Sequence, residues 1–309
     1  MRTDRPPFGR NLTAMVTPFT DDGRLDLDSA AKLATHLVQV GRNDGLVLSG
    51  TTGESPTTTD KEKAALIGAV KDAIAGRAVV VAGVGTNDTE HSLHLARAAA
   101  GAGADGLLVV TPYYSKPTQA GIIAHTRKVA DSTDLPVMLY DIPGRTGTPL
   151  ATETLCALAE HPRIVAVKDA KGDLLSGSEV MTRSGLRYYS GDDPLNLAWL
   201  CHGAQGVVSV VGHVLGSSYA DMIAAVDAGD LPAAQAVYRR LIPAVRTIMS
   251  PVSQGAIRAK AAVHAMGLIA SRTMRLPLLA ATDDEVVEIK AAIGAAERPP
   301  SRGDGGPAA

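Results

Sequence analysis

The chain has only two cysteines among its 309 residues, Cys156 and Cys201. Neither falls in a CxxC pair or a Cys/His cluster, which excludes a disulfide framework and a cysteine-based metal site and fits a reduced, cytoplasmic setting. An excess of one sign of charge is also missing. The formal net charge is -2 with no sustained Lys/Arg run, so the chain carries no electrostatic footprint for nucleic acid or an anionic membrane. No window has the uninterrupted apolar length of a membrane span, and the opening stretch MRTDRPPFGRN lacks an apolar h-region. Neither export nor membrane insertion is expected. What remains is a chain of 45% hydrophobic content, enough for one globular unit or one barrel with an appendage, and work on a small molecule is the expected function.

From Asn11 onward, short apolar runs alternate with longer amphipathic runs at the spacing of βα units. Eight strands are predicted, near Leu12–Val16, Gly45–Leu48, Val79–Ala82, Gly106–Val110, Val137–Tyr140, Ile164–Lys168, Arg187–Ser190 and Val207–Val210. A helical run follows each, several opening on Ser, Thr or Asp and closing on Gly. This pattern predicts an α/β fold, a (β/α)8 TIM barrel over residues 1–230, with a doubly wound sheet as the alternative. Beyond Asp230 the strand signal stops. Three helices over 231–296 are expected as a C-terminal helical extension, and the Pro- and Gly-rich tail 297–309 is expected to be disordered.

One strand stands apart. In RIVAVKDA (Arg163–Ala170) the apolar run shows no period-2 alternation, as in a parallel strand covered on both faces, yet it contains Lys168. Burial disfavours an ammonium and favours the neutral amine that carbonyl chemistry needs. The competing explanation is a strand-end lysine paired with Asp169 or Asp141. In a barrel the active site lies at the carboxyl ends of the strands, so the loops that follow them are decisive. SGTTGES (Ser49–Ser55) offers backbone amides and the hydroxyls of Thr51 and Thr52 to a small carboxylate, or is an ordinary Gly-rich turn. TPYYSKPT sets Tyr113 beside Tyr114, suited to catalysis or to a subunit interface. YDIPGRTG puts the Tyr140 phenol at a strand end and projects Arg145 from a Pro-Gly turn, where it either grips a carboxylate or braces the loop. In SGDD, Gly191 matters through its backbone, whereas Asp192 and Asp193 read as a turn with an N-cap. His213 reads as a structural, hydrogen-bonded histidine. VAGVGTND (Val81–Asp88) lacks the third glycine of a dinucleotide site and is rejected as one. Together these loops point to Schiff-base chemistry on a small 2-keto acid.

SGTTGES, PYYSKPT, YDIPGRTG, the lysine of IVAVKDA and YYSGDD together resemble the 4-hydroxy-tetrahydrodipicolinate (dihydrodipicolinate) synthase family of pyruvate-dependent class I aldolases, over about Asn11 to Gly216. The resemblance implies that Lys168 forms an imine with pyruvate, that Thr51 and Thr52 hold its carboxylate, and that Tyr140 transfers protons. It implies that Thr51 links Tyr140 to Tyr114, which a neighbouring subunit of a homotetramer contributes, with Tyr113 at the same interface. Arg145 would receive the carboxylate of aspartate 4-semialdehyde, and the backbone carbonyls of Gly191 and Val208 would line the pocket. No cofactor and no metal ion are implied. Asp141 stands where an asparagine is common. Asp60 and Lys63 replace the histidines of lysine-inhibited forms and His91 replaces a glutamate, so weak or absent inhibition by lysine is expected. SPVSQGAIRAK (Ser250–Lys260) departs from the common Asn-Pro-containing segment. Two alternatives remain: a sister pyruvate lyase, of the N-acetylneuraminate lyase or keto-deoxy-sugar aldolase type, and a non-catalytic barrel that binds a keto acid.

Overall fold

A computed structural model gives the arrangement of the chain and describes residues 6–252 and 254–298. The expectation for the tail from 299 onward lies outside the described residues. In chain order the elements begin β1 (Asn11–Ala14), α1 (Leu27–Gln39), β2 (Gly45–Leu48), α2 (Asp60–Ile74), β3 (Val79–Gly83), α3 (Thr89–Gly101), β4 (Gly106–Val110) and α4 (Gln119–Asp131). They continue with β5 (Val137–Asp141), the single turn α5 (Pro143–Thr146), α6 (Thr152–Ala159), β6 (Ile164–Asp169), α7 (Leu174–Ser184), β7 (Arg187–Ser190), α8 (Asn196–Cys201), β8 (Gly206–Ser209) and α9 (Gly212–Asp227). All eight strands pair in parallel and in sequence order, and β8 closes on β1. The fold is a (β/α)8 barrel. Three further helices, α10 (Leu231–Ile248), α11 (Gly255–Ala265) and α12 (Asp283–Glu297), form the extension.

Two apolar layers hold the barrel together. Outward-facing strand residues such as Val80, Leu139 and Val167 pack with the inner faces of the helices in one large core. Inward-facing residues, among them Leu12, Val47, Met138, Ala166 and Val208, fill the lumen. Phe8 belongs to that inner layer and is fully buried, and a Cβ on Gly106 would lie 2.4 Å from its ring, so the strand needs a glycine there to admit it. Several helices start where a side chain satisfies a free amide. Thr59 and Glu62 form a reciprocal capping box on α2, and Thr282 and Glu285 form one on α12. Strand alternation then fixes which groups enter the lumen. Lys168 sits in register between Tyr140 of β5 and Tyr189 of β7, while Asp169 and Asp141 pair one residue on and face outward.

Candidate active site

The loop after β2 is bracketed by two non-glycine residues in the left-handed region, Ser49 (φ 54°) and Glu54 (φ 53°). Such residues keep that conformation only where their surroundings hold it. Glu54 is held by the extension: it pairs with Lys260 of α11, both side chains being fully buried, and its Oε2 accepts the Arg275 N–H at 3.0 Å. Lys260 Nζ also donates to the Thr273 carbonyl at 3.0 Å and lies 4.4 Å from the centre of the Phe19 ring. Between the two strained residues are Thr51 and Thr52. Among the described residues neither the amide nor the hydroxyl of either threonine donates a hydrogen bond, which leaves four donors for an anion.

Across the lumen, Lys168 is 4% exposed, and its Nζ stands 4.1 Å from the centre of the Tyr140 ring. It pairs with neither aspartate that the sequence offered. Asp169 turns away to accept the amides of Lys171 (3.1 Å) and Gly172 (2.8 Å), and Asp141 Oδ1 accepts the Leu150 amide at 3.2 Å. Burial pushes the Asp141 carboxyl up to about 7, opposed by its bond from Leu150 and by Lys171, whose Nζ is 3.9 Å away. Burial raises Asp169 as well. Gly191 makes room for the lysine: a Cβ there would lie 2.8 Å from Lys168 Cγ and 2.9 Å from Cε.

Arg145 projects from the single turn α5 rather than from an open Pro-Gly turn, and Gly147 closes that turn at φ 75°. The guanidinium is exposed, and among the described residues no acid pairs with it, so it does not brace the loop. Neither aspartate of SGDD acts as the expected N-cap. Asp192 makes no side-chain cap bond. Asp193, 1% exposed, accepts the amides of Val210 (2.8 Å) and Val211 (3.2 Å) and so ties the end of β7 to the end of β8. His213 is structural. It donates from Nδ1 to the Val210 carbonyl (2.7 Å) and accepts the Val16 amide at Nε2 (2.9 Å), and burial pushes its pKa down to about 4.

Lys168, Tyr140, Thr51, Thr52, Arg145 and Gly191 line one cavity of about 180 Å³, roughly the liquid volume of six waters. Val208 belongs instead to the inner packing layer that Tyr140 shares, and Val210 reaches the cavity in its place. Tyr113 is half-buried. Tyr114, in the loop after β4 at φ 70°, is 89% exposed, and no hydrogen bond joins it to Thr51 or Tyr140 within the described chain. Sequence reasoning did not place Asp192 in the cavity, nor Met249 and Gln254–Ala256 from the extension. The divergence of SPVSQGAIRAK was the available signal for the latter. On another face, His91 Nε2 lies 3.0 Å from both carboxylate oxygens of Asp60, and Lys63 Nζ is turned inward, donating to the Ser55 carbonyl at 2.9 Å.

A closed barrel with a buried lysine at the end of its sixth strand, a phenol beside it and free anion donors opposite defines the lyases that work through a lysine Schiff base. The chain belongs to the dihydrodipicolinate synthetase family, whose model matches residues 7–296. It is 59% identical to a 4-hydroxy-tetrahydrodipicolinate synthase of Kineococcus radiotolerans, over 96% of this chain and 95% of the relative. Its structure superimposes on a dihydrodipicolinate synthase of Bacillus anthracis with TM-score 0.89 and 39% identity, covering 95% of this chain and 99% of that one. It also matches the enzyme of Cyanidioschyzon merolae, solved with lysine bound, with TM-score 0.90 and 40% identity over 94% and 99% of the two chains.

Proposed function

We propose that the chain condenses pyruvate with L-aspartate 4-semialdehyde to give 4-hydroxy-tetrahydrodipicolinate, a step toward diaminopimelate and lysine. The supporting observation is Lys168 Nζ, unpaired among the described residues and 4.1 Å from the Tyr140 ring, in a small cavity that Thr51 and Thr52 also line. The pyruvate carboxylate binds the free donors of Thr51 and Thr52, which brings the keto carbon to Lys168. Nζ attacks, water leaves, and the protonated imine draws electrons from the neighbouring methyl group. Loss of a methyl proton gives the enamine, with Tyr140 carrying protons. The enamine carbon adds to the aldehyde of the second substrate, whose carboxylate binds Arg145, and the substrate amine then displaces Lys168 as the ring closes. The unpaired Arg145 suits an anionic second substrate better than a polyhydroxylated one.

Tyr114 completes the proton path from a neighbouring subunit of a homotetramer, a role supported by its exposure in the single chain. The test of the chemistry is direct. Borohydride added with pyruvate is expected to label Lys168 covalently, and the purified protein to convert pyruvate and the semialdehyde in an assay coupled to a reductase. Labelling that persists in Lys168→Ala would sink the assignment. The same assay with added lysine reads the weak or absent inhibition expected from Asp60, Lys63 and His91.

A further inference from the structure

Among the described residues no group bonds the guanidinium of Arg145, so its place at the cavity is set by the backbone that carries it. The outgoing half of that turn closes on itself. The Ile142 carbonyl accepts the Arg145 amide at 2.9 Å, and the Pro143 carbonyl accepts the Gly147 amide at 2.9 Å. The returning half is held from outside: Pro149, Leu150 and Ala151, three residues in a row, each give a backbone group to a side chain of another segment. The Leu150 amide goes to Asp141 at the end of β5. The other two go to one residue, Gln119, the first of α4. Gln119 Nε2 donates to the Pro149 carbonyl at 2.9 Å, while its Oε1 accepts the Ala151 amide at 3.1 Å and the Thr154 hydroxyl of α6 at 2.5 Å.

A carboxamide donates at one end and accepts at the other, and only this orientation serves all three partners. Gln119 is half-buried and does not line the cavity, so these bonds act on the turn and not on a substrate. A second contact joins the same two segments. Gly147, at φ 75°, lies against the stem of Lys116, and a Cβ on it would stand 3.0 Å from Lys116 Cε. Lys116 (φ 46°) and Tyr114 (φ 70°) are both left-handed, a conformation that residues other than glycine keep only where their surroundings hold it. The loop that bears Tyr114 and the turn that bears Arg145 thus brace one another. Accuracy of placement matters here, because a shift of about 1 Å in a binding group can cost on the order of 100-fold in rate.

We infer that Gln119 is a positioning residue for Arg145: it roots the turn on the start of α4 and so fixes where the carboxylate of the second substrate is received. This rests on the functional reading above and deepens it. Gln119→Met removes the donor and the acceptor but keeps an unbranched side chain. It is expected to raise KM for the semialdehyde by about 5- to 20-fold with kcat nearly unchanged. KM for pyruvate and the trapping of pyruvate by borohydride should stay at wild-type levels, since neither uses Arg145. The decisive comparison is the same change in an Arg145→Ala background. There it should alter kcat/KM for the semialdehyde by less than about twofold, because the group it positions is gone. An equal loss with and without Arg145, or an unchanged KM in the single variant, would overturn the positioning role alone. Should Gln119→Met fail to trap pyruvate, Gln119→Glu decides the matter, because it keeps the two accepted bonds and loses only the one to Pro149. It should trap pyruvate and raise KM for the semialdehyde to a smaller degree; a wild-type KM would count against the role. Wild-type protein that traps pyruvate but never consumes the semialdehyde, or Arg145→Ala with a wild-type KM for it, would overturn the functional reading and the positioning role with it.

Discussion

At the scale of single residues, the strands around Lys168 separate chemistry from structure by one step of the pleat. Tyr140 and Lys168 enter the lumen; Asp141 and Asp169, next in the chain, do not. Asp141 carries a stability cost that depends on pH. Its pKa is pushed up to about 7 from an ordinary value of 3.8. Between those values the folded state keeps a proton that the unfolded chain has lost, so stability falls as pH rises through the window, and the full cost stands above it. Asp141→Asn should therefore raise Tm at pH 8, corresponding to at most about 4 kcal/mol, and change little at pH 4. His213 works in the other sense. Its folded pKa lies below the ordinary one, so its contribution is lost as pH falls from about 6.5 toward about 4. The variant-minus-wild-type difference isolates Asp141, and parallel Tm curves for the two proteins across pH 4–8 would refute the assignment.

At the scale of elements, the extension forms part of the site. Two cations stand over the Phe19 ring, Lys260 at 4.4 Å and Arg275 at 4.2 Å, and Arg275 also binds Glu62 of α2. Glu54 is the point at which this assembly meets the loop of Thr51 and Thr52. Lys260→Met leaves a buried carboxylate without its cation and should cost about 3–5 kcal/mol. The double variant with Glu54→Gln should recover part of that loss, and both should raise KM for pyruvate more than they lower kcat. Denaturation of the four proteins in a double-mutant cycle measures the coupling, and strictly additive losses would show that the pair does not act as a unit. The strands were legible because a parallel strand buried on both faces reads as a bare apolar run. The loops that line the cavity were legible because tyrosine, lysine and arginine are conspicuous beside such runs. α5 was not, since one helical turn carries no periodicity. Asp192 looked like a cap, because only the fold reveals which carboxylate of Asp192 and Asp193 is satisfied. Gln254 was beyond reach, since its place depends on a segment more than 80 residues beyond Lys168 folding back over the barrel mouth.

At the scale of the whole molecule, the role proposed for Tyr114 would link the single chain to an assembly. If its hydroxyl serves a neighbour's site, the roles of Tyr114 and Lys168 separate between chains. Tyr114→Phe and Lys168→Ala should each be strongly impaired. When the two are unfolded and refolded together in equal amounts, roughly a quarter of the sites regain a complete set, from random pairing across a twofold interface. Recovered activity measured in the coupled assay supports the shared site; a mixture no more active than the sum of its parts refutes it.

The Glu54–Lys260 pair joins residues 206 apart in the chain, and the Arg275 amide that shares Glu54 lies 221 residues from it. A ribosome finishes every strand of the barrel before it makes either partner. The nascent barrel therefore holds Glu54 without its counter-charge, and the loop of Thr51 and Thr52 has no clamp until the extension emerges and docks. The clamp on this loop arrives late in synthesis, after the scaffold, so a barrel released early would be closed but would lack the clamp on the loop proposed to hold pyruvate.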